Sequence, residues 1–530
     1  MSAHRPAGRP RAYWQSAKRW YWPALALLCA LVGISLRLAE PERALPWYDE
    51  FRTLLHASGH SYDDLDHLRD SARPLSARDV QRAYLSPQSE RGFPASMAVA
   101  LEADPQVSPL YYGLVRLAFR PATPPLASAR WVSALGATLL LPGFFWLCWE
   151  AFAQRTSAWI GLALVSLSPA QLYWAFEARP YSWWAAGIAF ATAALLHASR
   201  KPSRAAWLAY SACTALMIHC HLFSSLVLLV HLAFVLVERR SAFKRFAWAL
   251  ASALLIATPW LLWCVKAWSS SVAPSVNWLN RPPGPEYWGH LSYAFGHGAW
   301  FPLRDGPLAF GAGAAATLFI LQELIRKNRR GSGLLILALF FAIPTLLAVL
   351  DLAFGGIRLS VVRYVLPSSL ALLLAFAWYF GRSRSWLNCA LASTALALAL
   401  VGAVKTQRAY LPEGKWRTEP AALAQTAQAL AHAPRALLVS LGQVSFPATL
   451  SLVVDPRTRF SFVSSEQDFA DLERRERAHQ ILILATDYAW YYEPRQREAN
   501  ALFQKLARNY DLQPVGPSLF LAKARAAAAP

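Results

Sequence analysis

The sequence predicts a mainly helical, polytopic membrane bundle of about 11 spans, with a long polar first outer loop and a small C-terminal α/β domain. Three observations carry this. Of the 530 residues, 55% are hydrophobic and only 16% are charged, whereas roughly a quarter of an ordinary soluble chain is charged. The apolar residues fall into runs of about 20, long enough for a helix to cross ~30 Å of hydrocarbon. The 23 tryptophans sit largely near the ends of those runs, where an interfacial aromatic belt places them. A large soluble bundle does not account for runs of this length.

Residues 1–20 form a basic N-terminus with Arg5, Arg9, Arg11, Lys18 and Arg19. No small-residue cleavage site follows, so 21–38 reads as an uncleaved first span with the N-terminus in the cytoplasm. The polar segment 39–107 then lies outside, carrying Asp49, Glu50, Asp63, Asp64, Asp66, Asp70, Glu102 and Asp104. The run SPLYYGLVRLAF (108–119) is too short to cross and reads as an interfacial helix, closing an outer loop over 39–120. Further spans are expected at about 131–151, 156–175, 182–198, 205–221, 222–237, 246–265, 306–325, 333–352, 364–380 and 386–404, so the membrane domain covers 21–404. Residues 266–305 face outward. Residues 405–530 change character. Strand-length apolar runs (Ala436–Ser440, Ile481–Ala485, Ser518–Ala522) alternate there with helix-like stretches (Ala421–His432, Arg497–Asn509), which reads as a soluble outer α/β domain with a frayed Ala-rich end.

A net charge of +21 first suggests nucleic acid, but the placement of the charge argues against such a partner. Basic residues cluster in short connections: Arg200, Lys201 and Arg204; Arg239, Arg240, Lys244 and Arg245; Arg326, Lys327, Arg329 and Arg330; Arg382 and Arg384. Every one of these falls on the inner side, as the positive-inside rule requires. The expected location is a bacterial inner membrane, with the C-terminal domain in the periplasm. The six cysteines lie in or beside apolar segments without zinc-type spacing, and no disulfide framework is expected.

Ionisable residues near membrane depth are costly and suggest function. Four groups fall on the outer side. Asp49-Glu50 follows the first span, and one carboxylate could serve as a general base; the alternative is a helix start, with Asp49 as N-cap and Glu50 in the first turn. Glu177-Ala178-Arg179-Pro180-Tyr181 puts a carboxylate, a guanidinium and a phenol in one tight turn. Arg179 there is either a phosphate ligand or half of a structural ion pair. Arg363-Tyr364, in RYVLP, is a cation at the boundary or a snorkelling anchor. His219 and His221 offer two metal ligands without an adjoining third, which makes a lining role the stronger reading. Asp104 and Tyr111 are further candidates for lining the site.

Taken in order, Asp49-Glu50, SPLYYGLVRLAF, RWVSALG (130–136), Ser168-Pro169, EARPYS (177–182), RYVLP (363–367) and KWRTEPAALA (415–424) resemble the membrane-embedded GT-C glycosyltransferases. The branch resembled is the bacterial one related to protein O-mannosyltransferases (glycosyltransferase family 39) and aminoarabinose lipid A transferases. The resemblance is firm over about 20–240 and thinner beyond. It departs at Val107-Ser108-Pro109, where the family has His-Pro-Pro, and nothing in the sequence supports aminoarabinose transfer specifically.

The resemblance implies inverting transfer of a sugar from a polyprenyl-phosphate donor to a lipid, glycan or protein acceptor on the outer face. It implies Asp49 as base, and Glu50 and Glu177 lining the sugar site or holding a divalent metal if one takes part. Arg179 and Arg363 would hold the donor phosphate, with Tyr181 and Tyr364 as hydrogen-bond donors. No cofactor is otherwise implied. A lipid-linked oligosaccharide flippase or transporter would instead place its charges near the midplane in two related halves. A surface-polysaccharide ligase usually carries its large outer loop late in the chain.

Overall fold

The computed structural model describes residues 9–524 apart from 40, 43–44, 69–72, 89, 121, 281, 283, 285–306, 384, 409–418, 434, 442–443, 477–479, 485–495 and 517–518. Most of the outward segment 266–305, the start of KWRTEPAALA and the Ala-rich end lie outside the described residues. The chain begins with α1 (Arg9–Leu38), then α2 (Tyr48–Ala57), α3 (Tyr62–Asp66), the short strand β1 (Leu75–Ser76), α4 (Ala77–Tyr84), α5 (Phe93–Ala103) and α6 (Pro109–Ala118). The bundle continues through α7 (Pro125–Phe152), α8 (Arg155–Leu167), α9 (Pro169–Ala175), α10 (Tyr181–Arg200), α11 (Arg204–Ile218), α12 (Ser224–Glu238) and α13 (Phe243–Lys266). It is completed by α14 (Pro307–Asn328), α15 (Ser332–Phe354), α16 (Leu366–Gly381) and α17 (Trp386–Arg408).

Each expected span is helical, but not each is a span-length helix. Among the described residues, six helices are long and apolar enough to cross a membrane: Trp20–Leu38, Pro125–Phe152, Arg240–Lys266, Ser332–Phe354, Val362–Gly381 and Trp386–Gln407. The expected span 156–175 is broken. Ser168 caps a new helix by accepting from the Gln171 N–H, and Pro169 occupies its first turn, so the residue before the proline leaves the helical region. Helices α11 and α12 have 15 residues each, about 22 Å of rise, less than a full hydrocarbon thickness. A count of 11 crossings therefore rests on the sequence pattern.

The C-terminal part holds α18 (Glu419–His432), β2 (Leu437–Leu441), α19 (Ser445–Leu450), β3 (Arg459–Val463), α20 (Glu466–Arg475), β4 (Ile481–Leu484), α21 (Gln496–Asn509), β5 (Tyr510–Gly516) and β6 (Leu519–Ala524). The sheet order is β1-β3-β2-β4-β6-β5. Its centre is parallel, with Leu438 facing Phe460 on one side and Leu482 on the other. Strands buried on both faces read as continuous apolar runs, as LLVSL and ILIL do. One edge is supplied from far away: Leu75 of the first loop pairs antiparallel with Phe460.

Among the described residues, the three largest apolar cores hold these parts together. The bundle core includes Phe144, Trp184, Tyr210 and Phe234. A second core joins first loop to sheet, bringing Phe51, Leu54 and Leu55 of α2 against Leu438, Phe446, Phe460 and Leu482. Phe469, Leu472, Leu502 and Leu506 cover the other sheet face. Helix α2 is thus fixed between bundle and sheet. Close approach of α7 and α10 needs Gly136, where a Cβ would stand 2.6 Å from Trp183 and 2.9 Å from Ser182 Oγ.

Candidate active site

The site is built on the first turn of α2. Trp47 is the N-cap in extended backbone, which makes Asp49 the second and Glu50 the third helical residue. Both carboxylates complement the dipole, and Glu50 reaches back to accept from the Trp47 N–H at 3.3 Å. Asp49 is therefore not the cap itself.

Glu50, a catalytic or sugar-lining candidate in the sequence, is enclosed by protein donors. It is fully buried, and Arg130 of α7 grips it as a fork, with Nε 2.8 Å from Oε1 and Nη2 2.7 Å from Oε2. Glu50 Oε1 also accepts from the Ala178 N–H at 2.8 Å. Both oxygens face protein donors, because a buried carboxylate must be paired and hydrogen-bonded. Glu50 thereby ties the first turn of α2 to the Glu177–Tyr181 turn.

That turn, between α9 and α10, is braced from behind. The Ser133 hydroxyl donates to the Arg179 carbonyl at 3.2 Å, Ser182 Oγ donates to the Ser133 carbonyl at 2.7 Å, and the Tyr111 hydroxyl lies 2.7 Å from Ser133 Oγ. Tyr111 is buried behind the turn, so it supports the site rather than lining it. Arg179 points forward. Its Nε lies 3.9 Å from Asp49 Oδ2 and its Nη1 3.7 Å from Asp104 Oδ2. Nη1 also donates to Thr53 Oγ1 at 3.3 Å and to the Asp49 carbonyl at 3.4 Å. The Asp49 side chain is 16% exposed where Arg179 shows 7% and Asp104 none, so Asp49 is the member of this trio that solvent reaches.

Asp104 closes the rear. Arg52 Nη2 donates to its Oδ1 at 2.7 Å, and the Tyr112 hydroxyl and the Gln106 amide donate as well. Burial pushes the Asp104 carboxyl up, but Arg52, then Arg179 and His56, with the Tyr112 hydrogen bond, outweigh burial and hold it below the usual carboxylate range. Its fixed negative charge orients both arginines.

The second cation stands across the same space. The Arg363 Cζ lies 5.3 Å from the Tyr364 ring centroid, 5.5 Å from Trp278, 5.9 Å from Tyr181 and 6.0 Å from Trp47. Aromatic faces attract a guanidinium and hold it. The Tyr181 phenol is within electrostatic reach of Arg363, Arg179, Asp49 and Glu177, which places the buried Glu177 beside the same cluster. The Arg363 turn is locked by Asp351, which accepts from the Arg358 and Leu359 N–H groups at 2.9 and 2.8 Å and from Arg358 Nη1 at 3.0 Å. The Ile357 N–H donates to the Leu279 carbonyl at 3.0 Å, which draws the Trp278 segment in.

The two histidines part company. His221 stacks on Trp184 with centroids 4.4 Å apart and lies 5.9 Å from the Tyr364 ring, so it joins the Arg363 cluster. His219 stacks on Trp260, whose indole N–H donates to the Pro105 carbonyl at 2.8 Å. The pair does not converge. Among the described residues, no three His, Cys, Asp or Glu side chains group as a metal site. Glu50 is held by Arg130, and Asp104 and Asp49 both face arginines. Three carboxylates already engaged by arginines are a poor donor set for a divalent ion.

Sequence reasoning named Asp49 and Glu50 as catalytic candidates, Glu177, Arg179, Tyr181, Arg363 and Tyr364 as donor-binding ones, and Asp104, Tyr111, His219 and His221 as lining ones. It assigned no role to Arg52, Thr53, Trp278 or Asp351, and it quoted Arg130 only as part of a motif. Arg130 had a signal: it is a lone cation near the start of a long apolar helix.

Two solved structures of ArnT from Cupriavidus metallidurans share this architecture. The one bound to undecaprenyl phosphate aligns at 14% identity over 96% of this chain and 99% of that chain, with a TM-score of 0.55. The apo form aligns at 13% identity over 96% and 98%, with a TM-score of 0.52. The oligosaccharyltransferase AglB from Archaeoglobus fulgidus, at 12% identity over 97% of this chain and 75% of that chain, has a TM-score of 0.47, too low to bear on the argument. No family model and no curated protein matches the sequence. The chain therefore has the fold of these two ArnT structures.

Proposed function

We propose that the protein transfers a sugar from a polyprenyl-phosphate-linked donor to a hydroxyl acceptor at the outer face of a bacterial inner membrane. The observation that carries this is the juxtaposition of a reachable carboxylate, Asp49, with the Arg179 guanidinium 3.9 Å away and the ring-held Arg363 beyond it. Transfer from a lipid phosphate needs no acid at the leaving group, because the phosphate departs as an anion. It needs a base for the acceptor and cations for the growing phosphate charge.

The acceptor proton passes to Asp49 as the acceptor oxygen bonds to the anomeric carbon. The bond from that carbon to the phosphate oxygen breaks, and its electron pair leaves on polyprenyl phosphate. A single displacement inverts the centre. Arg179 and Arg363 hold the phosphate, while Tyr181, Tyr364 and His221 wall the donor side and Glu177 lines the sugar. Glu50, Arg130, Asp104 and Arg52 position these groups without touching substrate. ArnT, which shares the fold, was crystallised with undecaprenyl phosphate, and that carrier class suits the two-cation arrangement here.

The test is Asp49→Asn in membranes supplied with a radiolabelled polyprenyl-phosphate sugar. Loss of a general base lowers transfer by about 10²–10⁴-fold. Transfer at the wild-type rate by an inserted, folded Asp49→Asn variant removes Asp49 from this role.

A further inference from the structure

A recess of about 1370 Å³ opens among α1, α7, α8 and α17, far from Asp49. Arg130, which holds Glu50, lies near the start of α7, and the recess takes Phe145, Trp146 and Trp149 of the same helix, some 15–19 residues on, or roughly 22–28 Å of rise. Six of its fourteen lining residues are tryptophan, against 23 in the 530-residue chain, an enrichment beyond chance. Trp20 and Trp386 on its rim are 67% and 81% exposed, so the described residues do not cover them. Tyr21 and Ser393 hydrogen-bond at 3.1 Å across the recess, joining α1 to α17. Rings on an interface need no cavity behind them; here they surround one larger than the ~300–1,000 Å³ of ordinary small-molecule sites.

The charge in the recess is of one sign. Arg155, in the first turn of α8, is the charged residue among those lining it, and its Cζ lies 5.9 Å from the Trp149 ring. Among the described residues, no carboxylate pairs with it. The carboxylate on the adjoining stretch of α7, Glu150, is turned to His197 at 2.8 Å and Arg200 at 3.5 Å. An apolar recess with one uncompensated cation at its mouth, beside helices that cross a membrane, matches a lipid with an anionic headgroup.

We infer that this recess is a binding site for an anionic phospholipid, with the headgroup phosphate on Arg155 and the acyl chains among Trp149, Trp159 and Trp386. The site is separate from the sugar-transfer site and does not depend on the reading of that site. The full-length protein in mild detergent is stripped of lipid and exposed to equal amounts of phosphatidylglycerol and phosphatidylethanolamine, and retained lipid is counted by native mass spectrometry. Wild type is expected to retain phosphatidylglycerol in preference by about fivefold, the scale of one interfacial ion pair. Arg155→Gln loses the preference at an unchanged unfolding temperature, and Trp159→Ala lowers retention of both lipids. Equal retention of the two lipids by wild type, or the same preference in Arg155→Gln, overturns the inference. Displacement of phosphatidylglycerol by equimolar polyprenyl phosphate assigns the recess to the carrier lipid and overturns it as well.

Discussion

Removing the charge of Glu50 separates a positioning carboxylate from a catalytic one. Glu50 is fully buried and Arg130 is 1% exposed, so Glu50→Gln leaves a guanidinium inside the protein without its counter-ion. Breaking one side of a buried pair costs about 3–5 kcal/mol. Arg130 keeps two backbone acceptors, the Pro41 carbonyl at 2.7 Å and the Leu45 carbonyl at 3.4 Å, which puts the expected loss at about 3 kcal/mol, the low end of that range. The Gln carbonyl can still accept from the Ala178 N–H, so the turn retains its tether. Adding Arg130→Met removes the stranded cation and fills its volume, and the double variant should regain about half of the loss through coupling of ~1.5 kcal/mol. The assay is unfolding of the detergent-solubilised protein by SDS titration, with transfer measured on the same preparations. A positioning role predicts that transfer recovers with stability in the double variant. A stable Glu50→Gln, or a double variant restored in stability yet devoid of transfer, refutes the reasoning.

Two further outcomes follow from the geometry. His56 is buried and its Nδ1–H donates to the His60 carbonyl at 3.0 Å; burial foremost lowers its pKa from 6.5 to about 4. Between those values the unfolded chain binds a proton that the folded protein refuses, so stability falls as pH drops from 6.5 to 4, by about 3 kcal/mol at 1.36 kcal/mol per unit. His56→Gln should flatten that decline in thermal unfolding, and an unchanged slope would mean another group causes it. Asp351→Asn loosens the turn that carries Arg363 and should raise the apparent KM for the donor several-fold with little change in kcat. An equal loss in kcat and kcat/KM would show that Asp351 does more than position.

Much of this was legible because membrane residence constrains sequence strongly. Apolar runs, basic connections and end-placed tryptophans specify a helical bundle before any motif is considered, and the carboxylate and arginine motifs fall on one side of it. Span counting was less secure. Ser168-Pro169 is a helix cap inside an apolar run, and run length alone passes over such a break. The apolar strand runs of the C-terminal part also gave the sheet centre, while β1 was hidden: Leu75-Ser76 is two residues long and joins β3 across more than 380 positions. Adjacent residues with opposite fates were the hardest. Asp49 and Glu50 carry the same chemistry in sequence, and only the 100° step between successive helical residues sends one toward Arg179 and the other toward Arg130. His219 and His221 diverge for a related reason: His219 caps the end of α11 while His221 lies in the turn beyond it, and their rings turn to different partners.

The central claim is that Asp49 and Arg179 face one phosphate-bearing ligand from opposite chemical roles. The affinity of polyprenyl phosphate, measured in wild type, Arg179→Gln and Asp49→Asn, tests it most directly. Losing a charged hydrogen bond of about 1.5–3 kcal/mol weakens binding to Arg179→Gln by about 10- to 150-fold. Asp49→Asn, which removes a like charge, binds as tightly as wild type or more so. Unaltered affinity in Arg179→Gln, or equal weakening in both variants, contradicts the account.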